Sequence, residues 1–397
     1  MVATAPLDIP DIQLSPRVQE FLQSPRQSLI NGQWQDAASG KTFPVYNPAT
    51  GEIIAMAAEG DTEDINQAVA AARRVFDNPA HAWNTMTPSE RGRLIWKIGD
   101  LILENLDELA ELESLDNGKP VGVAKAADVP LSADLFHYMA GWVTKIEGNT
   151  IPISVPYAPG AQFHAFTMRE PVGVVGQIIP WNFPLLMAAW KLGPVLAAGN
   201  CVVIKGSEQA PLSSLKLGEL CDGIFPKGVV NIITGGAKAG AALVSHPDVG
   251  RVGFVGSVPT GRTIAKAAAE TLKVVSLELG GKNPIIIFPD ADPAKAATSA
   301  IKGMNMNRQG QSCSSTSRVF VHESLHGAVT EDLVKQAKAL PIGFPWLEVN
   351  EVGPVVSERQ YERILGFISS AEEEGADCLT GGGPPDDAEL RKGFFVS

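Results

Sequence analysis

The middle of the chain repeats one pattern, a short β-branched strand followed by a turn and a helix. The strand-like segments are VGVVGQII, NCVVIKG, GVVNIITG and RVGFVGS, and each is followed by a helical segment. Strands that alternate with helices need crossover connections, which make the strands parallel in a doubly wound sheet. The repetition predicts an α/β fold of the kind that binds dinucleotides, although the GxGxxG motif is absent from the sequence.

The composition is that of a globular protein. Of 397 residues, 45% are hydrophobic and 19% are charged, which excludes a disordered chain. The formal net charge is -12 without any Lys/Arg-rich run, so nucleic acid is not an expected partner. Four scattered cysteines suit a reducing compartment better than a disulfide framework. Since no secretory signal or membrane span is recognisable, we expect a cytoplasmic protein.

The segments around the repeat predict further elements. Residues 1–28 are weakly patterned and predict a flexible arm. Helices are expected over about 61–76 and from the capping sequence TPSE at 87–90 to the Asn117-Gly118 stop. Residues 150–171 predict a protruding β-hairpin that suits contact between subunits. A second α/β region starts near residue 281, and the strand-like GFFVS at its end suggests a chain that stops within a domain.

Cys313 is a candidate nucleophile. It lies in the small, polar segment GQSCSS, interpreted as a passage from loop to helix. A helix N-terminus would lower the pKa of the thiol and make it a better nucleophile. A buried structural cysteine is an equally good interpretation of the segment alone. Cys201, Cys221 and Cys378 lie in apolar or surface contexts and are interpreted as structural.

Glu278 and Asn182 are two further candidates. Glu278 ends a predicted buried strand before Gly280-Gly281, where its carboxylate is either a desolvated general base or a cap of the turn. Asn182 lies in the proline-bracketed segment PWNFP. Its amide is either a rigid donor for an oxyanion or an ordinary turn former.

Three segments together resemble motifs of the aldehyde dehydrogenase superfamily: PWNFP at 180–184, LELGGK at 277–282 and RQGQSC at 308–313. The resemblance is to the non-acylating branch with class 1/2 and betaine-aldehyde enzymes, and it runs from about Leu29 to the last residue. It implies that an aldehyde is oxidised to an acid through a thiohemiacetal and a thioester on Cys313. It also implies that Asn182 and the Cys313 backbone N–H form the oxyanion hole, that Glu278 activates water, and that Lys191 belongs to the catalytic set.

The resemblance further implies NAD as the cofactor, with NADP possible. A carboxylate at Glu208, beside Lys205, accepts a hydrogen bond from a free ribose 2′-hydroxyl and repels a 2′-phosphate. The Gly256-Ser257 turn before a helix suits a pyrophosphate. The positions matched to cofactor binding are Ile178, Pro180, Trp181, Lys205, Ser207, Glu208, Gly236, Gly240, Gly256, Ser257, Leu279, Gly280, Gln360 and Arg363.

The resemblance places a second set in the substrate tunnel: Phe183, Met187, Trp190, Asn307, Ser312 and Ser314. Core packing is the competing interpretation for the three residues at helical spacing. Trp190 would also suit a cationic aldehyde through a cation–π contact. No metal is expected.

The resemblance also divides the chain. Residues 29–149 and 172–280 are expected to form a Rossmann-like NAD-binding domain, 150–171 an oligomerisation hairpin for a homodimer or homotetramer, and 281–397 the catalytic domain. The family segment EIFGP and the strand that completes the subunit interface do not occur in the sequence. A fragment or a naturally shortened protein is therefore expected.

Two other functions stay open on the sequence. Cys313 with His322 or His326 could form an NAD-independent cysteine esterase, because both histidines closely follow the strand RVFV. Alternatively, the chain could bind a nucleotide or a partner without catalysis. The family segment EIFGP, which binds the nicotinamide ribose in relatives, is absent from the sequence.

Overall fold

The computed structural model describes residues 12–347 and 349–397. Its strands are β1 (Ser28–Ile30), β2 (Gln33–Gln35), β3 (Thr42–Tyr46), β4 (Ile53–Ala58), β5 (Thr150–Ile151), β6 (Ala165–Phe166), β7 (Val174–Ile178), β8 (Cys201–Lys205), β9 (Val230–Ile233), β10 (Arg251–Gly256), β11 (Val274–Leu279), β12 (Pro284–Ile287) and β13 (Arg318–Val321). Its helices are α1 (Pro16–Leu22), α2 (Thr62–Phe76), α3 (Ala82–Thr85), α4 (Pro88–Glu104), α5 (Leu106–Asn117), α6 (Val121–Val123), α7 (Val129–Ala140), α8 (Pro184–Ala197), α9 (Leu212–Cys221), α10 (Ala237–Ser245), α11 (Val258–Ala269), α12 (Pro293–Gly303), α13 (His326–Ala339) and α14 (Glu358–Glu373).

The main sheet has seven strands in the order β11-β10-β7-β8-β9-β1-β2. The five strands from β11 to β9 are parallel, whereas β1 and β2 extend the sheet antiparallel. The chain moves outward from β7 through β8 to β9 and then returns to place β10 on the other side of β7. This reversal is the switch point at which doubly wound sheets bind ligands, and it confirms the predicted α/β class.

Helices cover the central strands on both faces. β7, β8 and β9 are buried at every residue, with α2, α8, α9 and α10 packed against them. Strands covered on both faces are continuously apolar, as VVGQI, CVVIK and VNII largely are. The sheet is therefore rigid where it carries the loops at its carboxyl edge.

The predicted hairpin and second α/β region are both present. β5 and β6 pair antiparallel over two residues each, Thr150 with Phe166 and Ile151 with Ala165. β12 and β13 form a parallel pair, which packs with α12 and α13 around a small core of Ile287, Ala296 and Val329. The second region is thus much less buried than the main sheet.

Three details differ from the sequence expectations. The helix expected from 88 to 117 is broken at Asn105, whose side-chain amide donates to the Leu101 carbonyl at 2.8 Å and so competes with the helix backbone. Of the expected flexible arm, residues 1–11 lie outside the described residues, but α1 is ordered and buries Val18, Phe21 and Leu22. The terminal GFFVS is not a strand, because the Phe394 backbone bonds to Val355 and Pro48 in loops.

Within residues 12–347 and 349–397, none of the helices combines the length and the apolar character that a membrane crossing requires.

Candidate active site

The residues expected to bind cofactor collect at the carboxyl edge of the parallel sheet. Ile178 ends β7, Lys205 ends β8, Gly256 ends β10 and Leu279 ends β11. The loop with Pro180, Trp181 and Asn182 follows β7, directly beside the switch point. Gly236 and Gly240 follow β9 at the start of α10. Parallel strands bring these separate segments to one crevice.

Asn182 is held against the loop that carries Cys313. Its Nδ2 donates to the Gln311 carbonyl at 2.8 Å. The preceding residue is fixed as well, since Asn117 Nδ2 donates to the Trp181 carbonyl at 2.7 Å. A neutral amide donor is therefore held by the carbonyl two residues before Cys313, and a donor of this kind is what an oxyanion site requires.

Hydrogen bonds from three other parts of the fold hold the Cys313 loop in an unusual backbone conformation. Asn305, Gln309 and Gly310 have positive φ angles of 59°, 55° and 66°, which only glycine adopts freely. The loop is fixed through Gln309 Nε2 to the Gly118 carbonyl (2.9 Å), the Val356 N–H to Gln311 Oε1 (3.1 Å) and Asn283 Nδ2 to the Cys313 carbonyl (2.8 Å).

Two expectations about this loop and strand are wrong. Cys313 is exposed and lies in a turn before β13, so no helix N-terminus follows it. Glu278 is also exposed, although a buried strand was expected. The reason is topological, because among the described strands β11 lies at the edge of the sheet and pairs with β10 alone. Among the described residues, no hydrogen bond or ion pair holds the Glu278 carboxylate, and the carboxylate is accessible to water.

Lys191 lies on α8 within the electrostatic reach of Glu278. Burial lowers the pKa of Lys191, the charge of Glu278 raises it in part, and that of Arg251 lowers it further. Lys191 lines a cavity together with Ser276 of β11 and Arg251 of β10. It therefore faces the Glu278 strand, and no contact with the Cys313 loop is recorded within the described ranges.

The residues after β8 and β10 fit a dinucleotide. Lys205 Nζ lies 3.1 Å from Glu208 Oε2. Burial raises the pKa of Glu208, but Lys205, a backbone hydrogen bond and Arg359 outweigh it and leave the pKa below its ordinary value. The carboxylate is thus ionised and can accept from ribose hydroxyls. Ser257 caps α11 by accepting from the Thr260 N–H at 3.3 Å, and the N-terminus of this helix suits a pyrophosphate. NAD therefore fits the donors and acceptors present.

Comparison with known proteins decides the family. The model of the aldehyde dehydrogenase family matches residues 34–397. The chain belongs to the aldehyde dehydrogenase family. Human mitochondrial aldehyde dehydrogenase is 48% identical over 373 residues, 93% of this chain and 70% of that enzyme. Phenylacetaldehyde dehydrogenase of Pseudomonas fluorescens is 45% identical over 377 residues, 94% and 74% of the two chains. The NAD+ complex of a Bacillus cereus aldehyde dehydrogenase superposes with a TM-score of 0.92 at 46% identity, covering 97% of this chain and 76% of that one.

The residues expected in the aldehyde dehydrogenase tunnel are only partly brought together. Phe183 and Met187 are half-buried at the start of α8, while Trp190 is 51% exposed. Ser312 and Ser314 contact each other across Cys313 through their hydroxyls at 2.9 Å, and the exposed Asn307 accepts weakly from Arg308 at 3.4 Å. Of the positions expected to bind the cofactor, Gln360 and Arg363 lie away from the strand ends, on α14, where Arg363 is exposed over the Phe367 ring.

A buried charged network that the sequence does not predict lies behind the Cys313 loop. Lys119 Nζ lies 2.6 Å from Glu113 Oε1 and also pairs with Asp128, and all three side chains are fully buried. Arg308 Nη2 joins the network at 3.2 Å from Asp128 Oδ1. Lys119 and Arg308 both lie over the Phe183 ring, at 4.7 and 5.5 Å from its centroid.

The histidines of the esterase alternative do not approach Cys313 in the described part of the chain. His322 caps the turn after β13, accepting from the Ser324 N–H at 3.3 Å and contacting its hydroxyl at 2.9 Å. His326 begins α13. Neither imidazole is placed as a base for the thiol, so the geometry favours oxidation over NAD-independent hydrolysis.

Proposed function

We propose that the chain oxidises an aldehyde to a carboxylic acid with NAD+. One geometric observation carries the assignment of roles, the hydrogen bond from Asn182 to the loop of Cys313. Family membership supplies the reaction class. Cys313 is exposed at the crevice and is not the buried structural cysteine that the sequence also allowed.

The first half of the reaction uses Cys313 and Asn182. The Cys313 thiolate attacks the carbonyl carbon, and the carbonyl π electrons move to oxygen. Asn182 Nδ2 and the Cys313 N–H stabilise this oxyanion, for which Asn182 gives up its bond to Gln311. Lys205, Glu208 and the start of α11 would hold NAD+, which would supply the hydride acceptor when bound. Loss of hydride leaves a thioester on Cys313.

The second half uses Glu278. Its exposed carboxylate removes a proton from water, the hydroxide adds to the thioester carbon, and the Cys313 thiolate leaves as the free acid forms. Burial lowers the pKa of nearby Lys191, and the charge of Glu278 in turn raises it. We assign residues 29–149 and 172–280 to cofactor binding and 281–397 to the catalytic part.

The test is NADH formation by the purified chain with NAD+ and a panel of aldehydes. Cys313→Ser should remove NADH formation, whereas Cys378→Ser, a second exposed cysteine, should leave it unchanged. NADH formation that survives Cys313→Ser would contradict the assignment. Acid release from an ester without NAD+ would favour the esterase.

We also infer that the chain self-associates through the hairpin. Between residues 150 and 171 the hairpin exposes Ile151, Ile153, Tyr157, Phe163, Phe166 and Met168. A protruding apolar surface of this kind is typical of an interface. Sedimentation should show an oligomer that Phe166→Asp weakens, and a monomer in both proteins would contradict the inference. A cytoplasmic location stays a prediction.

A further inference from the structure

A buried turn at the end of α5 contacts the loop of the oxyanion donor in two places. Its residues Asn117 and Lys119 are 1% and 0% exposed. Asn117 Nδ2 donates to the Trp181 carbonyl at 2.7 Å, on one side of Asn182. On the other side, Lys119 Nζ lies 4.7 Å from the centroid of the Phe183 ring. The turn therefore contacts both neighbours of the oxyanion donor.

The same turn holds the loop of the nucleophile. The Gly118 carbonyl accepts from Gln309 Nε2 of the Cys313 loop at 2.9 Å. Gly118 has a φ angle of 82°, and a Cβ there would lie 2.8 Å from the Pro354 ring and from its carbonyl oxygen. Glycine is required at this position, and the close contact leaves the turn little room to move. Two loops that are distant in the sequence therefore share one anchor.

The turn is itself fixed to its surroundings. Lys119 forms ion pairs with two fully buried carboxylates, Glu113 and Asp128. Asp116 accepts from the Leu212 N–H at 2.7 Å, which ties the end of α5 to the start of α9. Polar networks in the interior of a protein rigidify the segments that they join. The end of α5 is therefore a firm base for the two loops.

The side chain of Asn117 is not explained by stability alone. Its Oδ1 is buried and has no hydrogen-bond partner among the described residues. A buried amide oxygen without a partner destabilises a fold, and an apolar side chain of similar size would avoid this. What the asparagine supplies is the Nδ2 donor to the Trp181 carbonyl.

We propose that Asn117 is a positioning residue for the oxyanion donor. To bind the oxyanion, Asn182 exchanges the Gln311 carbonyl for the substrate oxygen. During this exchange Asn117 holds the preceding carbonyl and Lys119 the following ring, so the amide moves while its backbone stays in place. The inference rests on the proposed function, since the oxyanion belongs to the aldehyde reaction.

A double-mutant cycle tests the inference. Asn117→Ala should lower kcat about tenfold, with the KM for NAD+ unchanged, because the oxyanion donor is misplaced. In the Asn182→Ala background the same substitution should leave kcat nearly unchanged, since the donor that it positions is gone. An equal loss of kcat in both backgrounds would overturn the inference, because a structural role alone lowers kcat whether or not the donor is present.

Two further variants separate the donor from the volume of the side chain. Asn117→Leu keeps the volume without the donor, and kcat should fall as in Asn117→Ala. Asn105→Ala is the matched control, because Asn105 Nδ2 donates to a backbone carbonyl at 2.8 Å at the other end of α5. It should leave kcat unchanged. Full activity of Asn117→Leu would overturn the inference.

Hydrogen exchange gives a measurement that needs no turnover. The backbone amides of residues 181–187 should exchange faster in Asn117→Ala than in the wild type, and at the wild-type rate in Asn105→Ala. Faster exchange in a protein that oxidises no aldehyde would support the positioning and contradict the proposed function. Exchange that Asn117→Ala leaves unchanged would overturn the positioning, even where aldehydes are oxidised.

Discussion

The side-chain amide of Asn182 donates to the backbone carbonyl of Gln311 at 2.8 Å. The hydrogen bond joins two segments 129 residues apart, the loop after the first central strand and the loop of the candidate nucleophile. It holds an uncharged donor against the loop that carries Cys313. To stabilise an oxyanion, Asn182 exchanges the Gln311 carbonyl for the oxyanion while the rest of its loop stays in place.

Asn182→Ala should lower kcat about 10²–10³-fold, the usual cost of losing one oxyanion donor. Affinity for NAD+ should stay unchanged, because the Lys205–Glu208 pair is left intact. Rapid mixing and equilibrium titration measure the two quantities separately. Asn78→Ala removes an exposed asparagine and serves as the control. An unchanged kcat in the Asn182 variant would show that the oxyanion is held elsewhere.

Glu278→Gln should separate the two halves of the reaction. Without a carboxylate to remove the proton from water, the thioester persists, so one equivalent of NADH forms quickly and turnover then slows. Stopped-flow absorbance detects this burst. Glu270→Gln, an exposed glutamate at the end of α11, should turn over normally. Full steady-state activity in Glu278→Gln would remove Glu278 from the mechanism.

Lys119→Met should destabilise the fold strongly. The substitution leaves the buried Glu113 without a cation and Asp128 with Arg308 alone, at an expected cost of about 3–5 kcal/mol. Lys125→Met breaks only the partly exposed pair with Asp107 and should cost less than about 1 kcal/mol. Urea unfolding measures both. Similar losses for the two variants would mean that the buried network contributes little.

The free energy of unfolding should fall as the pH rises from 4.5 to about 7, because Glu113 titrates over this range. Burial raises the pKa of Glu113 from 4.5 to about 7, so between these values the folded state keeps a proton that the unfolded state releases. Each rise in pH therefore favours unfolding, by about 3 kcal/mol in total. Burial raises the pKa of Asp128, but Lys119 and other contacts outweigh it and leave the pKa below 3.8, so that group titrates outside this range.

Glu113→Gln removes the titrating proton and is the direct check of that slope. The free energy of unfolding of the variant, measured by urea at pH 5 and at pH 7.5, should change less between the two values than that of the wild type. If the free energy of unfolding changed equally with pH in the variant and the wild type, groups other than Glu113 would cause the pH dependence.

The strands of the main sheet can be predicted from the sequence because each is marked by residues within the strand and the adjoining turn. Each strand of the repeat is a short β-branched run next to a turn, and the parallel order follows from the alternation with helices. Exposure of Glu278 could not be predicted this way, because β11 resembles a buried strand and only the strand order makes it an edge. The Asn105 break was equally hidden, since α4 and α5 continue one apolar pattern.

The candidate site was predictable where the resemblance supplied a motif and not elsewhere. Cys313, Asn182 and Glu208 were singled out by motif and do lie at the crevice. The hydrogen bonds of Asn283, Gln309 and Asn117, which hold the Cys313 and Asn182 loops, were not predicted, because nothing in the sequence marks these polar residues. Glu113 and Lys119 resemble a solvated helix face in sequence, although both are fully buried. Such charges become informative only once their burial is known.

The most direct test of the account is the state of Cys313 during the reaction. Glu278→Gln is mixed with NAD+ and hexanal, quenched, and digested for mass spectrometry. The account predicts a hexanoyl group on the peptide with Cys313, in amounts equal to the NADH formed and absent when NAD+ is omitted. NADH formed without any acyl group on Cys313, or an adduct at another cysteine, would contradict it.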